Sequence, residues 1–122
     1  MDLQVVSEGQ GRFILQCPEE LEWSARVDLV EQITAQARPN EVRGIILDLA
    51  EVTYINSAGI GAIFSLRKFA LDNEAVLVVA RPRPAIQRML KTVNLPDLIP
   101  MVDSMAEARE KIDAQDSGSS DA

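Results

Sequence analysis

Ile45, Ile46 and Leu47 stand consecutively in the stretch "GIILDLAEV", and this unbroken apolar run constrains the chain more than any other feature. Successive side chains of a strand leave on opposite faces, so a run without polar alternation predicts a strand covered on both sides, in the middle of a sheet. A second run of the same kind, "AVLVVA" at 75–80, repeats the signal. Strands of this type separated by helical crossovers are parallel neighbours, and helices must cover them.

The segments around these two runs complete a β-β-α-β-α-β-α-β-α order. Leu3 to Val6 and Arg12 to Gln16 read as an opening hairpin, because Gly9 and Gly11 in "SEGQG" supply positive φ for a tight connection. Trp23, Val27, Val30, Ile33 and Ala37 follow a 3.6-residue stripe that predicts a helix ending before Pro39. A further helix is expected over about Ala58 to Leu71, and another from Pro84, with Ile86, Met89, Leu90 and Val93 as its apolar side. "LPDLIPMV" predicts a short edge strand, since Pro100 has no amide for a ladder. Ser104 and Glu107 have the spacing of a capping box at the start of a last helix, whose apolar side is Met105, Ala108 and Ile112. From Ala114 to Ala122 nothing remains to bury, and a disordered tail is expected. The reading is one domain over residues 1–113, a mixed sheet of about five strands with about four helices.

Composition removes several function classes. The chain has no histidine, which excludes Ser/His and Cys/His nucleophile pairs and most zinc and copper ligand sets. Its net charge of −7 repels nucleic acid and anionic membranes. Without a membrane-spanning apolar run or a signal-peptide pattern, the expected location is the cytoplasm, and the one cysteine, Cys17, is expected to be a buried neutral thiol.

Chemistry concentrates in "YINSAGIGAIF", residues 54–64. A dinucleotide fingerprint needs glycine where Phe64 stands, and the Walker lysine is absent, so a phosphate cradle fails on spacing. Ser57 has no base in the motif to activate it, the nearest lysine being Lys68. Asn56 or Ser57 can cap the helix, a bond worth on the order of 1 kcal/mol. Capping does not account for Gly59 and Gly61 in the first turns, where each costs roughly 0.5 to 1 kcal/mol relative to alanine. Those glycines leave a low surface around the Ser57 hydroxyl, and a phosphate there sits at the positive end of the helix dipole. On residue chemistry alone, helix cap and modification switch fit equally.

The longer stretch "IILDLAEVTYINSAGIGAIF" resembles the STAS domains of bacterial anti-sigma factor antagonists, whose pattern is D-L-x-x-V-x-x-I-D-S-x-G-L-G-x-L. Asp48, Leu49, Val52, Ile55, Ser57, Gly59, Ile60, Gly61 and Ile63 match it or replace it conservatively, and the resemblance extends over nearly all of residues 2–113. It implies a non-enzymatic STAS domain that needs no cofactor or metal. Its partner would be an anti-sigma factor with a histidine-kinase-like ATPase domain, which phosphorylates Ser57 and binds only the unphosphorylated form. A PP2C-type serine phosphatase would reset the switch. Asn56, Ser57, Ala58, Gly59, Ile60 and Gly61 would form the docking surface, lined by Glu20 and Ser24 from residues 18–24 and by Arg81 and Arg83 from residues 81–84.

The family usually has aspartate where this chain has Asn56, and a Gly-x-Leu-Asp turn after the second strand where this chain has "QCPEELEWS" at 16–24, a loop that Cys17-Pro18 changes. The alternative within the family is a constitutive STAS subunit, for example of a lipid-transport ATPase, with no phosphorylation switch. A small nucleotide hydrolase is the enzymatic rival, and the missing phosphate loop counts against it.

Overall fold

The computed structural model describes residues 3–21 and 28–120. β1 (Gln4–Gly9) and β2 (Arg12–Gln16) form the opening hairpin, followed by a short β3 (Glu20–Leu21). Helix α1 (Leu29–Thr34) leads through a 3-10 turn at Pro39–Glu41 into β4 (Gly44–Asp48). Next come β5 (Tyr54–Ile55), α2 (Ser57–Asp72), β6 (Val76–Ala80) and α3 (Pro84–Thr92). A second 3-10 turn at Leu95–Asp97, β7 (Met101–Val102) and α4 (Met105–Ser120) complete the chain.

Five strands form one mixed sheet in the order β1-β2-β4-β6-β7. β1 runs antiparallel to β2, and every other neighbouring pair is parallel. β4 is central, with Ile45 paired to Phe13 on one side and Leu77 on the other. All five of its residues are buried, as the apolar run requires. Period-two alternation divides the core between the sheet's faces. Phe13, Leu15, Ile45, Leu47, Leu77 and Val79 pack with Leu29, Ile33, Ile63, Leu66, Ile86 and Leu90 from α1, α2 and α3. Ile14, Ile46, Val78 and Ala80 pack instead with Ala108 and Ile112 of α4.

Three helices therefore cover one face and α4 alone covers the other. Of the capping box expected at the start of α4, the structure shows the serine half, a 3.1 Å bond from the Glu107 amide to Ser104 Oγ. Arg12 pairs with Asp113, and Arg109 reaches Glu8 at 2.8 Å, so α4 is also held to the hairpin.

Several elements differ from those read in the sequence. α1 begins after Asp28, whose extended backbone and carboxylate cap the Val30 amide at 2.9 Å and the Glu31 amide at 3.3 Å. Its apolar stripe begins with Leu29; Trp23 and Val27 lie outside the described residues. α4 continues to Ser120, past Ala114 where an unstructured tail is expected. Ile112 is its last buried residue among the side chains described up to Gln115, and the backbone continues as helix beyond it, since propagating an existing helix costs far less than nucleating one. β3 and β5 pair as a second, two-stranded parallel sheet that no periodicity in the sequence announces.

Gly44 sets how closely α4 approaches β4, because a Cβ at that position would lie 2.7 Å from Ile112 Cγ2. Gly44→Ala is expected to destabilise the protein by about 1 to 3 kcal/mol through overpacking. Denaturant unfolding of Gly44→Ala, Ile112→Ala and the double variant checks this. The double variant should be less unstable than the two single losses summed, because shortening Ile112 makes room for the new methyl.

Candidate functional site

β4 carries the chain to one end of the sheet, and residues 49–53 turn it into β5 and then α2. Val52 and Ile55 are buried on this path while Thr53 and Tyr54 face out. Asn56 adopts an extended conformation, φ −106° and ψ 179°, and its Oδ1 accepts the Gly59 amide at 2.8 Å. The choice left open between Asn56 and Ser57 as cap is thus decided: Asn56 caps, and Ser57 is the first helical residue.

Ser57 is exposed, and among the described residues no hydrogen bond engages its hydroxyl. It sits at the positive end of a 16-residue helix, and the amides of Ser57 and Ala58 have no acceptor within that helix. Ala58 is exposed, Ile60 half-buried, and Gly59 buried against the rest of the domain. Gly61 is exposed, and a Cβ built on it meets nothing within 4 Å. The fold therefore does not require glycine at 61, which leaves the surface beside Ser57 flat.

Glu20 is brought to the motif through the small second sheet, where its Cα pairs with Tyr54 and that of Leu21 with Ile55. The preceding residue is tied in as well, since the Thr53 amide donates to the Glu19 carbonyl at 2.7 Å. Ser24 lies outside the described residues.

Arg81 and Arg83, expected on the partner surface, are both engaged within the domain. Arg81 Nε and Nη2 donate to Asp48 Oδ1 and Oδ2 at 3.2 and 2.6 Å. Arg83 Nε donates to the Ala50 carbonyl at 2.9 Å. Each residue remains exposed on its outer side. The hydrogen bond to Asp48 raises the Arg81 pKa above its ordinary value, so the guanidinium stays charged. Cys17 is buried, and burial, aided by the Asp48 charge, pushes its thiol pKa far up.

Two features were not read from the sequence. Tyr54 is 46% exposed, an aromatic three residues before Ser57. Asp48 is the one charged residue in the buried strand β4, 6% exposed. An acidic residue ending a fully apolar run was a legible signal, because a buried carboxylate requires a cation or donors. Nothing in one sequence identifies Arg81 as that cation.

Among the described residues, no cluster of three or more potential metal ligands occurs and no helix is long and apolar enough to cross a membrane.

A family model described as "STAS domain" matches residues 4–108, and the chain belongs to that family. Its fold is similar to that of the anti-sigma factor antagonist SpoIIAA in its unphosphorylated form, with a TM-score of 0.71 and 18% identity over 93% of this chain and 97% of the other. The phosphorylated form of Bacillus SpoIIAA gives a TM-score of 0.65 at 17% identity, covering 91% and 99%. An anti-sigma factor antagonist from Mycobacterium paratuberculosis gives 0.67 at 16% identity, covering 91% and 94%. The murine anion transporter Slc26a9 gives 0.68 at 14% identity, covering 88% of this chain and 18% of the transporter. At such identities these likenesses establish the fold.

Gly61→Ala is expected to stabilise the domain by about 0.5 to 1 kcal/mol, since the methyl meets open space and alanine is the better helix former. Asn56→Ala should cost on the order of 1 kcal/mol through loss of the cap. Urea midpoints at constant m-value measure both. Cys17 should resist iodoacetamide at neutral pH in the native protein and react only on unfolding, because a buried, protonated thiol is a poor nucleophile; labelling across a urea titration tests this.

Proposed function

We propose that this chain is an anti-sigma factor antagonist that binds an anti-sigma factor kinase while Ser57 is unphosphorylated and is released when Ser57 carries phosphate. The carrying observation is the division of labour at the start of α2: Asn56 makes the capping bond, which leaves the Ser57 hydroxyl exposed beside the open surface at Gly61. STAS membership and the likeness to SpoIIAA, a protein solved in both unphosphorylated and phosphorylated forms, support the same reading. The chain acts as substrate and ligand, not as enzyme, and ATP and the phosphoryl-transfer machinery belong to the partner. A PP2C-type phosphatase reverses the modification, in the cytoplasm.

The physics of the switch is local. Phosphate adds roughly 1.5 to 2 negative charges and three acceptor oxygens at a helix N-terminus, a place that tolerates an anion. The neutral Asn56 places no like charge immediately before it. The domain therefore keeps its fold while the surface presented to a partner changes in charge and bulk. The replacement of the family's aspartate by Asn56 leaves the capping geometry intact, and it removes a carboxylate that would otherwise help orient the hydroxyl in a kinase site.

A second reading is a constitutive STAS module, such as a subunit of a lipid-transport ATPase, and the occurrence of this fold within a transporter of greater length favours keeping it. Incubation with ATP and each histidine-kinase-like anti-sigma factor of the same genome, followed by intact-mass measurement, separates the readings. One added phosphate, abolished in Ser57→Ala, is expected; no added phosphate together with unchanged partner binding by Ser57→Asp sinks the switch. Ser57→Asp should keep most of the melting temperature and weaken the partner by about 1 to 3 kcal/mol, as measured by calorimetric titration.

A further inference from the structure

Arg81 follows β6 with φ at 58°, in the left-handed region that glycine enters freely and arginine only against a steric penalty. An arginine at such a position makes physical sense when its side chain is required there. Its two parallel bonds to Asp48 form a fork, and the acceptor is a carboxylate only 6% exposed. A guanidinium serving only a partner would stand free in solvent.

The same carboxylate holds the chain that follows it. Asp48 Oδ1 also accepts the Ala50 amide at 3.1 Å, while Arg83 takes the Ala50 carbonyl at 2.9 Å. The Leu49 amide donates to the Ala80 carbonyl at 3.0 Å, and the Arg81 amide donates to the Val102 carbonyl at 2.8 Å. The loop after β6 is thus fixed to β7 and grips the first residues after β4. At its far end the 49–53 connection is held by the Glu19 carbonyl. This connection leads directly into Tyr54, Asn56 and Ser57.

We infer that Arg81 and Asp48 are positioning residues, a latch between the β6–α3 and β4–β5 loops that sets how the Ser57 surface is presented to its partner. The inference rests on the reading of Ser57 given under Proposed function. The pair acts through the backbone of residues 49–53, so its effect reaches a partner without requiring either side chain to touch it.

The test compares the wild type with Arg81→Lys and with the double variant Asp48→Asn/Arg81→Gly. The double variant removes the ion pair without leaving a buried charge unpaired, and glycine relieves the left-handed backbone. Amide hydrogen exchange is read on the isolated protein, and affinity is read against the histidine-kinase-like anti-sigma factors of the same genome. In the double variant, exchange at Ala50, Val52 and Tyr54 should accelerate about tenfold or more while Ile46 and Val78 keep their protection. Affinity should fall about tenfold, a coupling of ordinary size for a hydrogen-bonded network. Arg81→Lys, which keeps the charge and loses the fork, should fall between the two.

Unchanged exchange in the double variant overturns the latch. Faster exchange with unchanged affinity overturns the positioning role and leaves the reading of Ser57 standing. A wild-type chain that binds none of these anti-sigma factors sinks that reading and the partner half of this inference together, a result distinct from both because the exchange comparison needs no partner.

Discussion

Burial of β4 on both faces is the constraint on which the rest of the molecule depends. Ile45 and Leu47 face the core shared with α1, α2 and α3, and Ile46 faces the core shared with α4. Neither face can be left to water, since each buried aliphatic side chain contributes about 1.5 to 3 kcal/mol relative to exposure. The strand needs parallel neighbours for its amides and helices over both of its faces, and β2, β6 and the four helices supply them. The close approach of α4 is permitted by Gly44.

The same strand delivers the site. Its last residue, Asp48, brings a carboxylate into a nearly dry environment, which is stable only because Arg81 and the Ala50 amide satisfy it. The connection that follows is held from two sides before it enters α2, where Asn56 takes the capping role and leaves Ser57 exposed. Residues 44–61 run in succession through the central strand, the carboxylate that Arg81 grips and the serine surface. A mechanism that acts at Ser57 can therefore alter what a partner meets without loosening the core beneath it. The large buried residues of β4 are already committed to packing, and the helix dipole accommodates added negative charge at that end.

What could be read in advance follows from the range of the interactions concerned. Strand runs, the hairpin glycines, the Ser104–Glu107 cap and the fold class depend on residues a few positions apart, and these were legible. The Asn56-or-Ser57 ambiguity was not resolvable from type and spacing, because both side chains can cap and the outcome depends on where the backbone turns helical. α1 starts at Leu29 because Asp28, which lies off the apolar stripe, adopts an extended backbone and caps the first turn; the stripe positions Trp23 and Val27 lie outside the described residues. The helical backbone of α4 runs to Ser120, past Ala114, because polar composition does not by itself end a helix. The family resemblance, carried by Asp48, Leu49, Ser57, Gly59 and Gly61, favoured the modification switch where residue chemistry alone had left switch and cap equal.

By itself the sequence determined the class of fold, the two-sided burial of its central strands and the segment that carries the family pattern, since apolar periodicity and local spacing are properties of the chain alone. Only the tertiary structure decided that Arg81 serves Asp48, that Glu20 lies beside Tyr54, and that Asn56 rather than Ser57 caps α2. The first two join residues more than thirty positions apart, and the third depends on the exact path of the 49–56 connection. Such pairings are set by the packing of the sheet and its loops, which gives a buried carboxylate a specific cation and a specific serine its exposure.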